Sequence, residues 1–326
     1  MNNSFCGKDI RMKEVSVIIA TYNPNLERVL FSIDSVMDQE GIDYELIISD
    51  DGSKENYFSE IEEYIKSHSK CDFQLIAHKT NQGTVKNFLD AVNHSRGAYI
   101  RTIGAGDALY DNHVLRNHVD FLMNSGRMWS FGQMVYFSVD EMGDRFFVKH
   151  RSRPQLVKCF EKKQFKKCVW NYCAYNDIAT GTAILYEKAL FQKYLELIKD
   201  KVIYCEDYTT KIMMFDGIIA AYYPSPVIYY EFASGGISDP NNSEGGKRAI
   251  KDIRTADEIM ISRNGSSMDK LHNKIRVIYQ RRKKYNYRPQ TVLMEKGKCL
   301  FALRKRICPR MTMVPRDNDV LKRKQQ

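Results

Sequence analysis

The sequence predicts an α/β fold: an open, largely parallel sheet flanked by helices, turning mixed in its second half and ending in a helical, basic extension. Three observations carry that expectation. The first hundred residues alternate β-branched runs with stretches of helical spacing, the apolar run Leu46-Ile47-Ile48 ends abruptly in Ser49-Asp50-Asp51-Gly52-Ser53, and the pattern changes after Ile103. Ligands of open α/β sheets sit beyond the carboxyl ends of the strands, so two carboxylates at such a tip are placed to meet a substrate. A solvated turn is the competing account, because Asp, Gly and Ser are turn formers.

Taken in order, Val15 to Ala20, Tyr44 to Ser49, Phe73 to His78 and Ala98 to Ile103 read as strands. Between them, Leu26 to Met37, Phe58 to Ile65 and Val85 to Val92 have helical spacing, which gives βαβ units. After Ile103 come a polar turn, a helix around His113 to Met123, and two runs, Met128 to Val139 and Arg145 to His150, that read as antiparallel strands. Lys158 to Trp170 is basic and aromatic without clean periodicity. Ile178 to Tyr186 reads as a strand leading into a helix at Lys188 to Ile198, and Glu206-Asp207 opens another helix. The runs Ile218 to Tyr223 and Pro226 to Phe232 follow, then a Gly235-Gly236 turn and helices near Lys247 to Ile261 and Met268 to Lys284.

Composition bounds the rest. A chain of 326 residues that is 43% hydrophobic and 28% charged can bury a full core. Its eight cysteines show no CxxC pair and no metal spacing with histidine, and no secretory leader precedes them, so they read as reduced cytosolic thiols. No segment approaches the roughly 18 uninterrupted apolar residues of a spanning helix. The net charge of +10 is uneven: Lys270 to Gln326 carries 18 basic residues against 3 acidic ones. Mixed with apolar runs, such a tract suits an anionic membrane surface, and equally a solvated tail. No recognised nucleic-acid motif accompanies it, so nucleic acid is not an expected partner.

The first strand ends in Thr21-Tyr22-Asn23, so a hydroxyl, a phenol and an amide share a rim with Asp51. A tyrosine ring can stack on a base and a carboxylate can accept from a uracil imide or a ribose hydroxyl, which suits a nucleoside. Neither a GxGxxG fingerprint nor a Walker loop is present.

The segments Ser16 to Asn23, Asp50-Asp51-Gly52-Ser53, Asn81-Gln82-Gly83 and Gly97-Ala98-Tyr99-Ile100 together resemble the family-2 glycosyltransferases in order and spacing. The resemblance covers about residues 14 to 238. It implies a GT-A type, Rossmann-like mixed sheet and an inverting transferase that moves a sugar, hexosyl or N-acetylhexosaminyl, from a nucleotide donor, commonly a UDP-sugar. It also implies a catalytic domain over 1–238, with a nucleotide half at about 14–110 and an acceptor half at about 111–238. Residues 239–326 are then a C-terminal helical, basic extension. By the same carry-over Thr21, Tyr22, Asn23, Asp51, Asn81, Gly83, Lys86 and Gly106 contact the nucleotide-sugar.

Where the family usually carries a DxD-type cluster for a divalent cation, this chain has Gly104-Ala105-Gly106-Asp107. Asp107 is the expected ligand for Mn²⁺ or Mg²⁺, with phosphate oxygens and waters completing the octahedron; capping or closing a turn is its other use. Lys79, Lys86 and Arg101 are further cations that could face a leaving diphosphate. Asp207 in Tyr204-Cys205-Glu206-Asp207-Tyr208 matches the family's catalytic base, and Glu206 would orient the acceptor or the base; first-turn acids of a helix are the plainer account. Glu231 stands after Tyr230 where many relatives carry Arg or His. Trp170, Tyr172 and Tyr175 offer an aromatic platform for an acceptor sugar, or core packing.

The reading that emerges is a cytoplasmic transferase, at the cytoplasmic face of the membrane, that extends a glycan or lipid-linked acceptor in bacterial surface polysaccharide (capsule or O-antigen) synthesis. A catalytically weakened GT-A module that binds a nucleotide-sugar or a partner transferase is the second reading. A sugar-1-phosphate nucleotidyltransferase is the third, lacking the expected glycine-rich N-terminal signature.

Overall fold

The four β-branched runs form neighbouring parallel strands: the first two are largely apolar and buried on both faces, the fourth is mostly buried, and the third, at the sheet edge, is only half-buried. They are β1 (Lys13–Thr21), β2 (Tyr44–Asp50), β3 (Asp72–Ala77) and β4 (Gly97–Gly104), separated by α1 (Leu26–Met37), α2 (Phe58–His68) and α3 (Thr84–His94). Val15, Val17, Ile19, Leu46 and Ile48 face one apolar layer with α1 and α2, whereas Ile18 and Ile47 face the other with α3. Continuous apolar runs of this kind are the mark of a parallel strand covered on both sides. The structure is a computed structural model that describes residues 12–150, 152–232, 243–263 and 269–284.

The second half supplies β5 (Ala108–Leu109), α4 (Val114–Ser125), β6 (Trp129–Val139), β7 (Arg145–Phe147), α5 (Lys158–Glu161), α6 (Phe165–Val169), β8 (Ile184–Glu187), α7 (Lys188–Ile198), α8 (Thr209–Phe215), β9 (Ala221–Glu231), α9 (Ser243–Ser262) and α10 (Asp269–Lys284). The sheet order is β3-β2-β1-β4-β8-β6-β9-β5, with β7 on β6. Strand β8 runs antiparallel to both β4 and β6, while β9 runs parallel to β6, so the sheet is mixed, as the change of pattern after Ile103 predicts.

Three elements depart from expectation, each for a local reason. Only Ile184 to Glu187 of the predicted strand Ile178 to Tyr186 pairs in the sheet. Upstream, the Ala179 N–H donates to the Tyr172 hydroxyl and Ala183 N–H to Thr180 O, which closes a 3₁₀ turn at Gly181–Ala183. The two runs before and after Pro224 are one strand, β9, whose register against β6 slips between Phe131, Gln133 and Met134. The Gln133 side chain spans the slip, donating to the Pro224 carbonyl and the Tyr222 hydroxyl, each at 3.0 Å. Finally, Glu206–Tyr208 is a 3₁₀ turn, and the α-helix begins only at Thr209.

Helices α9 and α10 pack onto the sheet layer that holds Trp129 and Phe215, burying Ala256, Met260, Ile275 and Tyr279. Polar ties accompany that packing: the Tyr279 hydroxyl donates to Cys173 O at 2.7 Å, and Lys211 pairs with Asp257, both almost fully buried. No described helix is long and apolar enough to cross a membrane. The five described cysteines, Cys71, Cys159, Cys168, Cys173 and Cys205, are free. Of the basic tract, Lys270 to Lys284 belongs to α10, while its remainder, the Gly235-Gly236 turn and Cys6, Cys299 and Cys308 lie outside the described residues.

Candidate active site

The carboxyl ends of β1, β2 and β4 meet one rim of the sheet, and the polar residues there first secure one another. Thr21 lies opposite Asp50 in the β1–β2 register, and its hydroxyl donates to Asp50 Oδ2 at 2.9 Å. Asp50 also accepts from the Ser53 N–H (2.8 Å) and the Ser53 hydroxyl (2.5 Å), which closes the turn. Gly52 takes φ +79°, and a Cβ there would fall 2.4 Å from the Thr80 carbonyl carbon. Only glycine fits that crossing of loops.

Asp51 reaches across to the next loop. Its two oxygens accept from the Gln82 and Gly83 N–H groups, each at 2.8 Å, and the residue is 4% exposed. Burial raises its pKa, against the lowering effect of those two bonds. The same contact sets the start of α3, whose N-cap is Gly83. Each carboxylate oxygen keeps a second lone pair, so a nucleoside donor can still be met. Tyr22 is 54% exposed on the outer rim. Asn23 has φ +44° and is bound to the turn, its N–H donating to Ser53 Oγ at 2.6 Å. Asn81 is exposed, and Lys86 Nζ lies 3.9 Å from Asp200 Oδ1, turned toward the α7–α8 connection.

Beside this rim lies a cleft of about 430 Å³. Ala20, Thr84, Phe88 and Thr102 to Gly104 form its sheet side, Ile178 to Thr182 and Tyr230 another wall, and Tyr204 to Tyr208 with Arg153 the third. Ala249 and Ile253 of α9 complete it. Glu206 and Asp207 are thus brought together with the β4 end, whereas Thr21, Tyr22, Asn23, Asp51, Asn81 and Lys86 stand around the cleft rather than in its lining. Asp252 fixes α9 to that wall, accepting from Ile203 N–H (3.1 Å) and Tyr204 N–H (2.7 Å).

Glu206 and Asp207 sit half-buried in the wall, and burial pushes both carboxyls up. Their effects differ in sign beyond that. Glu206 is raised further by the charge of Asp207, while the Arg153 guanidinium opposes the rise of Asp207. Burial and the mutual repulsion of the two carboxylates disfavour a charge on both at once, so the pair holds a proton more readily than free carboxylates do. Gly181 touches the pair: a Cβ there would lie 2.6 Å from Glu206 Oε1 and 3.5 Å from Asp207 Cβ. Gly181→Ala is expected to displace the Glu206 carboxyl and lower kcat roughly 10- to 100-fold, the cost of a misplaced reacting group. Steady-state kinetics beside a thermal melt check this; an unchanged kcat would reject the contact.

Asp107 behaves differently from its sequence reading as an open ligand. It is 6% exposed, and Oδ1 accepts from the Glu231 N–H at 3.0 Å. Burial pushes its carboxyl up to about 7. The Thr182 hydroxyl is within its electrostatic reach but has no well-formed hydrogen bond. Gly106, expected on the nucleotide-sugar, gives passage to an ion pair. At φ +103° it faces Arg28 and Glu231, and a Cβ would lie 2.2 Å from Glu231 Oε2. Arg28 Nε donates to that same oxygen at 2.9 Å. Glu231 is accordingly a clamp between β9, α1 and the Asp107 turn. Arg101 is buried, donating to Val227 O at 3.1 Å beside His118, and Lys79 is exposed. Tyr172 is a core residue bonded to Thr210 and Ala179, not a platform.

Sequence reasoning missed Arg153 and the α9 residues, which come from segments without a motif and are joined to the site only by the fold; Thr182 and Tyr230 belong to segments that the family resemblance already marks.

A Rossmann-like nucleotide half, a mixed second half and two carboxylates in the cleft they form define a GT-A fold glycosyltransferase. The chain belongs to glycosyl transferase family 2, whose profile matches residues 16–195. It is 28% identical over 141 residues to an uncharacterised glycosyltransferase of Rickettsia bellii, and 29% identical over 153 residues to one of Methanocaldococcus jannaschii. Those matches cover 43% and 46% of this chain but only 19% and 50% of the two relatives' lengths. Among solved structures, S. aureus TarS 1-349 superposes with TM-score 0.54 and 13% identity, over 87% of this chain and 75% of that one. Its complex with UDP gives 0.53, over 82% and 71%.

Enzymes of this fold often use a divalent cation. Among the described residues no three His, Cys, Asp or Glu side chains converge to hold one. Asp107 is the one carboxylate of this turn, and Oδ1 already accepts from the Glu231 N–H, so the turn fits a cation only if its other ligands are diphosphate and water.

Proposed function

We propose that this glycosyltransferase moves a sugar, hexosyl or N-acetylhexosaminyl, from a UDP-sugar to a hydroxyl of a glycan or lipid-linked acceptor, with inversion. The observation that carries the reading is the Glu206–Asp207 pair in the wall of the cleft that the end of β4 also lines, with burial raising both carboxyls. The nucleoside lies against the β1 and β2 tips, where Tyr22 is free to stack and Asp51 to accept. TarS complexes with UDP and UDP-GlcNAc support a donor of that class.

Asp207 takes the proton of the acceptor hydroxyl as its oxygen bonds to the anomeric carbon. The bond from that carbon to the diphosphate oxygen breaks on the opposite face, and the nucleotide leaves with the electron pair. Glu206, its neighbour, orients the acceptor or the base. When a cation accompanies the donor, Asp107 would hold it, and its charge would neutralise the departing diphosphate. Work on a bacterial surface polysaccharide at the cytoplasmic face of the membrane is the setting this chemistry suits.

The test is UDP release from a panel of UDP-sugars, with and without glycan or lipid-linked acceptors. Acceptor-stimulated release is the expected result. UDP binding without release from any donor would favour the binding-module reading instead, which the glycines at 104 and 106 in place of acids recommend.

A further inference from the structure

Among the residues lining the cleft, Arg153 is the one cation, and it stands on the wall that carries Asp207. An exposed arginine is ordinarily solvated surface, but this one is held by its surroundings. Ser152, Pro154 and Gln155 on either side are buried, so the loop is seated and only Arg153 is exposed among them. The seat is Asp177, whose carboxylate accepts from Gln155 N–H at 2.9 Å and Leu156 N–H at 3.0 Å. Asp177 leads directly into Ile178 to Thr182, the cleft wall itself. No hydrogen bond or ion pair ties the guanidinium to another described residue; its interaction with them is the longer-range field at Asp207.

We infer that Arg153 receives an anionic group, phosphate or carboxylate, on the acceptor. This rests on the reading of Asp207 as base, which puts the acceptor on the Asp207 side and the departing diphosphate on the other. A guanidinium beside the base is then a contact for the incoming substrate. Its planar fork suits a carboxylate or phosphate better than a neutral sugar. It also answers a charge imbalance: an acceptor anion brought next to ionised Asp207 would be repelled without it.

Equilibrium binding to the UDP-saturated protein tests this with two probes, methyl glucoside and methyl glucoside 6-phosphate, followed by calorimetry. The phosphorylated sugar is expected to bind roughly tenfold tighter or more, as a charge-assisted contact gives. Arg153→Gln should erase that preference and Arg153→Lys should keep part of it. Equal affinities in the wild type, including no binding of either probe, overturn the inference. So does a preference that survives Arg153→Gln. A comparable loss of affinity for UDP itself in Arg153→Gln would place the guanidinium on the donor and also overturn it. Turnover of Asp207→Asn is read separately, so the base assignment and the acceptor contact can fail independently.

Discussion

Asp207→Asn is expected to lower transfer about 10³-fold, within the range that a positioned general base supplies, while UDP affinity stays within about twofold. The amide keeps the shape of the side chain and cannot take a proton. The cleft wall is otherwise undisturbed, because the segment is held through its backbone: the Thr209 hydroxyl donates to Glu206 O and the Thr210 hydroxyl to Asp207 O, each at 2.6 Å. The pH profile gives a second reading of the same group. Burial raises the Asp207 pKa, so the ionised base is lost as pH falls through a value above the ordinary carboxylate range near about 4. The acid limb of kcat/KM should therefore lie above that range. A second limb on the alkaline side follows when Glu206, raised further still, gives up its proton. The two limbs belong to the pair and not to either residue alone. Undiminished transfer by the Asn variant would sink the assignment.

Asp51→Ala is the substitution with the largest expected effect on stability. It leaves the Gln82 and Gly83 N–H groups without their acceptor at a site with little access to water. Each stranded buried donor costs roughly 1–3 kcal/mol, so a loss of about 2–5 kcal/mol is expected, seen as a lower urea midpoint. Asp51→Asn should recover only part of it, since its amide keeps one acceptor and turns a second donor toward an N–H. UDP affinity should fall with the clamp. A midpoint unchanged in Asp51→Ala would mean the two loops hold together by other means. Gly83 makes the same joint intolerant of side chains: at φ +90°, a Cβ would lie 2.7 Å from Ile203 O.

How far these features could be read in the sequence depends on the range of the interactions that make them. β1, β2 and β4 with α1 to α3 are legible because strands buried on both faces must be largely apolar and the helices between them apolar on one side, and the half-buried edge strand β3 is legible by its place in that alternation. Glu206 and Asp207 were legible as a motif. The role of Asp51 was only half legible: its place at a strand tip follows from the Leu46 to Ser53 pattern, but its partners lie 31 and 32 residues on. Glu231 and Arg28 are separated by 203 residues, and nothing local in either signals the other. The same holds for Gly106, whose place beside that ion pair nothing local signals. Arg153 carried no signal at all, since a lone arginine in a polar loop is unremarked until the loop is found seated on Asp177.

The clamp of Asp252 on Ile203 and Tyr204 bears on how such an enzyme can be re-engineered. The family match ends at residue 195, before Glu206, Asp207 and the α9 side chains Ala249 and Ile253 that share their cleft. A hybrid that grafts only residues 178 to 208 onto another nucleotide half would strip two amides of their acceptor and open the far wall. The cleft wall that carries Glu206 and Asp207 is therefore portable as one block, from β6 through α9, and not loop by loop.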